Sequence, residues 1–487
     1  MSVLTTRSSV DGAARPKLKR SMGLWMATAL VVGNMVGSGI FLLPAALAGE
    51  AGPVSIFAML FTGLGAMLLA GVFAGLARSY PRTGGPYAYV QRAFGDFAGF
   101  LTAWGYWIAA WVGNAAIAIA FAGYLGVFWG RINTDNVTAL AVVIGVIWLL
   151  TAINVLGTRE AAWMQVATTI LKFVPLAIVG LIGLFFVDGG NLTPFAPETG
   201  GDWHVGAAAT LALWAFIGLE SATVPAEEVK DPERTIPRAT ILGTLITTVV
   251  YAVAIFAVFG LVARDTLASS SSPFADAANE IWGGTLLGMS SGKWVALVAM
   301  VAAFGCLNGW ILLAGRVPLA AAEDGVFPKQ FARVHGTRRT PVFALVVSSV
   351  LVTGLLVLDY SESGTLVELF TDIVLLATLT TLVPYAWSAA AQVYLFFAER
   401  ELFSGVRLAR DVVVASLAFA YSAWAIWGAG EEIIAKGFML LTAGIPVYVW
   451  VKWRESRRAT PEPEPELELP VLDHEPDRIF QLPAGIK

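Results

Sequence analysis

Gly33-Asn34-Met35-Val36-Gly37-Ser38-Gly39-Ile40-Phe41 sits in the middle of an apolar stretch that runs from about residue 22 to residue 48. Roughly 20 apolar residues cross a bilayer as a helix. The stretch is therefore long enough to span, and its glycines fall at membrane depth. In hydrocarbon every backbone polar group has to be satisfied within the protein. Two glycines within three residues, Gly37 and Gly39, weaken the helix locally, and Ser38 offers a hydroxyl where N–H groups are freed. Small residues also serve close helix packing, but this spacing favours a break, with a second half-helix starting near Ile40. The N-terminus of that half-helix presents free N–H donors at the positive end of the helix dipole, which suits a carboxylate.

The rest of the chain fits a membrane setting. Of 487 residues, 57% are hydrophobic and 14% charged, against about a quarter charged in soluble domains. The mean hydropathy is +0.71. Seventeen Trp and 28 Phe suit interfacial aromatics. Residues 1–20 are polar and basic, and the apolar stretch that follows is too long for a signal peptide. Cys306 is the only cysteine, so no intramolecular disulfide forms. His204, His335 and His474 fall in loops or the tail, which argues against a buried histidine metal site or proton relay.

Twelve apolar segments can be counted, at about 22–48, 54–77, 97–127, 137–156, 163–187, 205–225, 239–262, 290–318, 341–358, 366–397, 411–428 and 434–451. Asp359–Ser363 and Gly428–Glu432 read as short turns. An even count puts both termini on one side. Lys and Arg then divide 24 to 4 between the two sides, with Lys172 and the far tail (Arg478, Lys487) set aside from the total of 31. The positive-inside rule makes the richer side cytoplasmic. The expectation is a multi-pass protein of the cell inner membrane with both termini inside. Residues 1–21 form a cytoplasmic tail and 22–451 the membrane domain. Residues 452–487 form a second tail, whose Pro461-Glu462-Pro463-Glu464-Pro465-Glu466 run reads as disordered.

The sixth segment carries a second interruption, Leu213-Trp214-Ala215-Phe216-Ile217-Gly218-Leu219-Glu220-Ser221, with Pro225 beyond it. Breaks at corresponding positions of two halves mark transporters built from inverted repeats. The repeats here would be spans 1–5 (about 22–187) and 6–10 (about 205–397), with helices 11 and 12 over 411–451. Freed carbonyls around Trp214 and Ile217 would receive an ammonium group, and the two breaks together would hold an α-amino acid by its backbone groups. Glu220 and Lys172 are the ionisable residues well inside spans. A charge at that depth is costly and usually faces a cavity or a partner. Lys172 reads either as a proton acceptor or as a fixed cation bracing the first break. Trp310, Tyr106, Trp107, Trp111 and Asn114 are mid-span aromatics and an amide whose ligand role is not settled by sequence pattern alone.

The chain resembles the amino acid–polyamine–organocation superfamily, and within it the basic amino acid/polyamine antiporters, nearest the arginine/agmatine exchangers. The likeness runs through most of residues 22–450. It is carried by Gly37-Ser38-Gly39-Ile40-Phe41-Leu42-Leu43-Pro44, Gly84-Gly85-Pro86-Tyr87-Ala88-Tyr89, Tyr106-Trp107-Ile108-Ala109-Ala110-Trp111-Val112-Gly113-Asn114 and the sixth-span stretch. Gly309-Trp310-Ile311-Leu312-Leu313-Ala314-Gly315, Glu323-Asp324-Gly325-Val326-Phe327-Pro328 and Leu382-Val383-Pro384-Tyr385 complete it.

The resemblance implies an all-α membrane protein with twelve transmembrane helices. The implied fold is a LeuT-type five-plus-five inverted repeat with helices 1 and 6 broken. Ser38 and Gly39 would bind the substrate carboxylate, and the carbonyls of Met35, Trp214 and Ile217 its α-ammonium. Trp310 would stack on a guanidinium, while Asn114 and the carbonyls of Ala109 and Ala110 would take the distal polar group. Trp214 resembles an outer gate, and Tyr106, Glu220 and Tyr385 an inner gate. Two positions depart from the pattern. A serine expected against the guanidinium is Ala377 here, and Lys172 resembles the cation that replaces sodium in proton-coupled relatives.

The expected function is secondary transport, a cationic amino acid such as arginine exchanging for its decarboxylated amine such as agmatine by alternating access. Its rival is a proton-coupled permease for neutral or broad-range amino acids that uses Lys172. A transporter-like nutrient sensor is a third reading, disfavoured by the short tails. No metal-ligand cluster, activated nucleophile or phosphate loop is visible, so no enzyme, cofactor or nucleic-acid partner is expected. The expected partners are the amino acid or amine, protons in the rival reading, and the lipid bilayer. The resemblance also suggests a homodimer.

Overall fold

A computed structural model of the chain describes residues 22–37, 39–81, 84–156, 173, 175–195, 205–224, 226, 229–336, 340–361, 364–400 and 405–457. The elements in order are α1 (Leu24–Met35), α2 (Gly39–Glu50), α3 (Ser55–Ser79), α4 (Pro86–Phe94), α5 (Asp96–Gly126), α6 (Asn136–Leu156) and α7 (Pro175–Phe186). They continue with α8 (Val205–Trp214), α9 (Pro232–Leu261), α10 (Arg264–Ser269), α11 (Pro273–Trp282), α12 (Ser291–Glu323) and α13 (Val342–Ser361). The last are α14 (Leu366–Ala398), α15 (Gly405–Gly428), α16 (Glu431–Thr442) and α17 (Gly444–Ser456). A two-residue hairpin, β1 (Thr285–Leu286) with β2 (Met289–Ser290), pairs Thr285 with Ser290 and Leu286 with Met289. The protein is all-α apart from this hairpin among the described residues.

Nine helices among the described residues are long and apolar enough to cross a membrane, and the bent pair α1–α2 makes a tenth. The fifth expected span survives as α7, whose upstream half, with Lys172, lies outside the described residues. The sixth is α8 followed by turns. The last expected span is one run, Glu431–Ser456, divided at Ala443 into α16 and α17. Helix α13 runs through Ser361, so the expected turn at Asp359–Ser363 starts later than its polar residues suggested.

Burial ranks the helices. The apolar window of α5 is 89% buried and that of α14 is 72%, whereas that of α16–α17 is only 17%. Helices α5 and α14 therefore form the centre, and α15 to α17 face lipid. At the end of α17, the guanidinium of Arg454 lies 4.6 Å from the ring of Trp450, and that of Arg457 lies 4.3 Å from Trp453. Such Arg–Trp pairs suit the level of the lipid headgroups.

The face that carries the N-terminus of α1 is tied together by polar contacts outside the spans. Glu399, just past α14, accepts Tyr80 Oη at 2.8 Å and pairs with Arg92 of α4 at 2.9 Å. Partial burial works against the Glu399 charge, but the Tyr80 hydroxyl and Arg92 outweigh it and hold the carboxyl below its usual range. Burial, then Glu399 itself, pushes Tyr80 up to about 12. On the same face, Lys230 N–H donates to the Met22 carbonyl at 2.8 Å. The chain just after the sixth segment is thereby joined to the entry of α1.

Candidate functional site

The first break is as short as its glycines allow. Helix α1 ends at Met35, Val36 leaves helical geometry with ψ at 79°, and α2 restarts at Gly39 at an angle of 45° to α1. Gly37 N–H turns back to the Met35 carbonyl at 2.7 Å. Tyr251 Oη of α9 donates to the same carbonyl, also at 2.7 Å. Both lone pairs of the Met35 oxygen are therefore engaged in this conformation, although the resemblance implies that this carbonyl takes an α-ammonium. A second tyrosine, Tyr124 of α5, donates to the Phe41 carbonyl of α2 at 2.7 Å. Sequence reading missed both tyrosines. Their only signal is a phenol within an apolar span, where a hydroxyl needs a partner.

The second break is a run of tight turns. After Trp214 the N–H groups of Ala215, Phe216 and Ile217 reach back three residues instead of four. Gly218 has φ +108°, a conformation open to glycine and costly for any side chain. A Cβ there would stand 3.1 Å from the Asn34 carbonyl carbon and 3.2 Å from its oxygen. The two breaks therefore meet backbone to backbone, and no other residue fits at position 218.

Trp214 lies across the start of α2. A Cβ on Gly39 would collide with its indole, and one on Gly113 of α5 would stand 2.5 Å from the far edge of the ring. Its indole also stacks on Trp310 of α12, with centroids 6.3 Å apart and planes at 28°. The aromatic pair thus roofs the N-terminus of α2, the position expected to hold a carboxylate. Ser38, the other expected carboxylate ligand, lies outside the described residues.

Below the breaks, toward the α1 entry, Glu220 is fully buried. Three donors converge on its carboxylate. Tyr106 Oη of α5 donates to Oε1, and Tyr385 Oη of α14 (2.5 Å) and Gly218 N–H (3.2 Å) donate to Oε2. A buried carboxylate without partners is very costly, and this set makes it the knot that joins α5, α14 and the sixth-segment break. The three residues read as an inner gate do form one cluster.

A cavity of about 290 Å³ begins at the breaks and runs toward the α1 entry, lined by Gly33, Asn34, Gly218, Tyr106, Trp310 and Arg316 among others. Cys306 also lines it. Of the expected distal-group residues, Trp310 alone opens onto this cavity. Ala109, Ala110, Asn114 and Ala377 are packed between α5, α12 and α14, each at most 2% exposed. Asn114 Oδ1 has no hydrogen-bond partner there. The carbonyl of Ala377 takes the hydroxyls of Thr380 (3.0 Å) and Thr381 (2.9 Å), so that residue offers no open polar atom on its side chain or its oxygen.

A larger cavity of about 680 Å³ opens at the opposite end of the bundle, between the ends of α2, α10, α13 and α14. Carboxylates of Glu50, Asp265, Asp359, Glu368 and Asp372 line it, and among the described residues no basic side chain does. Among the described residues no group of three or more His, Cys, Asp or Glu is arranged to hold a metal ion.

The sequence matches the amino acid permease family over residues 22–446. It is 36% identical over 385 residues to a cadaverine/lysine antiporter of Escherichia coli, covering 76% of this chain and 82% of that protein. It is 30% identical over 450 residues to an arginine/ornithine antiporter of Pseudomonas aeruginosa, covering 89% and 91%. A putrescine transporter, PotE, of Haemophilus influenzae is 31% identical over 435 residues, covering 89% and 97%. The chain belongs to the amino acid permease family, whose members are membrane transporters and not enzymes.

Proposed function

We propose that this amino acid permease is an antiporter that exchanges a cationic amino acid for a second cationic amino acid or amine across the cell inner membrane, with both termini cytoplasmic. The observation that carries the reading is the meeting of the two interrupted segments, Gly218 against Asn34, beneath the Trp214–Trp310 pair. A helix restarting at Gly39 supplies N–H donors for a carboxylate. The turns from Trp214 to Gly218 supply carbonyls for an ammonium.

Two further features support a cationic cargo. Five carboxylates among the described residues line the mouth opposite the α1 entry, and acidic lining of this kind raises the local concentration of cations. The interior offers an aromatic face at Trp310, on which a desolvated cation gains about 2 kcal/mol. The names of the similar antiporters point the same way: lysine with cadaverine, arginine with ornithine, and putrescine. Arginine with agmatine is the finer pairing that the sequence resemblance implies, and it belongs in the same test.

Exchange then proceeds by rocking around the fixed breaks. The Trp214–Trp310 roof closes one side while the cavity past Tyr106 and Arg316 serves the other. Release toward the α1 entry requires the Tyr106–Glu220–Tyr385 knot to loosen. The test is counterflow in proteoliposomes loaded with labelled lysine or arginine. External lysine, ornithine, arginine, cadaverine, putrescine or agmatine is expected to accelerate efflux. If none of them does so, the exchange reading is wrong.

A further inference from the structure

We infer that Thr378, on α14, reads the distal end of the substrate through a hydroxyl kept open for a primary ammonium group. The inference rests on the exchange reading above and adds to it a specificity residue.

Thr378 is fully buried, and its Oγ1 has no hydrogen-bond partner. A threonine within a helix ordinarily bonds back to a carbonyl one turn earlier. The other described threonines of α14 do so: Thr371 to Val367 at 2.8 Å, Thr380 to Leu376 at 3.1 Å and Thr381 to Ala377 at 2.9 Å. Thr378 alone among them leaves its hydroxyl uncommitted. In a packed, water-poor interior such a group costs stability, and a ligand that arrives only in one step of a cycle explains why it is kept.

Its position is fixed by the helix. Thr378 precedes Tyr385 by seven residues, so the two share a face, and Tyr385 points to Glu220. Leu376 and Leu379, which pack on Gly437 of α16, lie equally far round the helix from 377 and 378, so it is the Tyr385 direction that turns Thr378 inward. Seven residues at about 1.5 Å each place it roughly 10 Å from Tyr385 along α14, away from the α1 entry. Helix α5 runs antiparallel beside it, with Gly105 against the Thr380 carbonyl and Pro384. The same seven-residue step along α5 from Tyr106 reaches Gly113, which touches Trp214. Thr378 thus lies at the level of the Trp214 roof, two turns beyond the gate.

The chemistry selects the ligand. The next residue of α5, Asn114, carries an open acceptor at this level, its Oδ1, and one turn earlier Trp111 Nε1 is an open donor. A primary ammonium has three donors and no acceptor. It can donate to Thr378 Oγ1 and Asn114 Oδ1, where a neutral aliphatic end would leave both unpaired. Ala377, at the position where a serine was expected, has no polar side chain to contribute. The polar contact is carried one residue further along the helix.

The test compares lysine and cadaverine with norleucine, which has the chain length of lysine without the distal ammonium. Binding is measured on purified wild-type protein and on Thr378→Val and Thr378→Ser. Thr378→Val keeps the shape and removes the hydroxyl. It is expected to bind lysine and cadaverine about tenfold more weakly, the loss of one hydrogen bond to a charged group, with norleucine unchanged. Thr378→Ser is expected to restore lysine. The inference is overturned if Thr378→Val binds lysine as the wild type does, or loses lysine and norleucine equally. Wild-type protein that binds norleucine as tightly as lysine overturns the cationic reading itself, and this inference with it.

Discussion

Substituting Gly218 by alanine tests whether the meeting of the two breaks governs the transporter. The φ of +108° at this residue is a region that costs a side chain on the order of 1–3 kcal/mol. The new methyl would also stand 3.1 Å from the Asn34 carbonyl carbon and from its Cβ. Neither the backbone nor a β-carbon can swing aside, so overpacking adds on the order of 1 kcal/mol or more. The sum is at least about 2 kcal/mol against this conformation, or about 30-fold in its population. Gly37→Ala is the matched control. Its methyl would crowd Cys306 Sγ, at 2.9 Å, while its other neighbours stand at 3.8 Å or beyond, and no strained φ is involved. Cys306→Ala should therefore rescue Gly37→Ala and leave Gly218→Ala unrelieved. Both can be read from lysine counterflow rates and melting temperatures in detergent. If Gly218→Ala exchanges at the wild-type rate, or if Cys306→Ala rescues both variants alike, the backbone-to-backbone contact does not control the cycle.

Three other outcomes are expected. Cys306 is the only thiol and lines the cavity that leads to the breaks, so a small thiol reagent should block exchange in the wild type and not in Cys306→Ala, with bound substrate slowing the block. Tyr385→Phe removes one of three donors from a buried carboxylate, so the knot should loosen more readily, and about tenfold faster release toward the α1 entry with nearly unchanged substrate affinity is the expected split. The Glu399 tie should respond to pH with a definite sign. Its carboxyl is held below its usual range, so its stabilisation is complete above the ordinary glutamate value of about 4.3 and fades as pH falls through the lowered one. The difference in melting temperature between wild type and Glu399→Gln should be flat from pH 8 to pH 6 and vanish in acid.

How much of this was legible in the sequence follows from where each signal is stored. The spans are written in runs of apolar residues, and the breaks in glycines at membrane depth. Gly37, Gly39 and Gly218 all act at the interruptions that their spacing indicated. The gate was legible only through resemblance, because Tyr106, Glu220 and Tyr385 lie on three segments and periodicity cannot say that they converge. Tyr251 and Tyr124 were missed for a related reason. Tyr251 satisfies a carbonyl that the break sets free and Tyr124 one in the first turn of the helix that follows, and both partners are visible only once the backbone is folded.

The assignment of the distal pocket shows the deeper limit. Resemblance pointed to position 377 because a serine belongs there, and finding alanine, it read a lost contact. A helix turns 100° per residue, so the next position faces a different direction and sequence alone cannot say which of the two looks inward. One structural fact decides it: Tyr385, seven residues on and so on the same face as Thr378, is spent on Glu220, while Leu376 and Leu379, spent on α16, exclude neither position. The inward line of α14 therefore passes through Thr378. A hydroxyl that declines the carbonyl its neighbours accept then becomes a statement about the cargo. Where every other polar group of that helix turn is satisfied from within, the one left open is matched from outside.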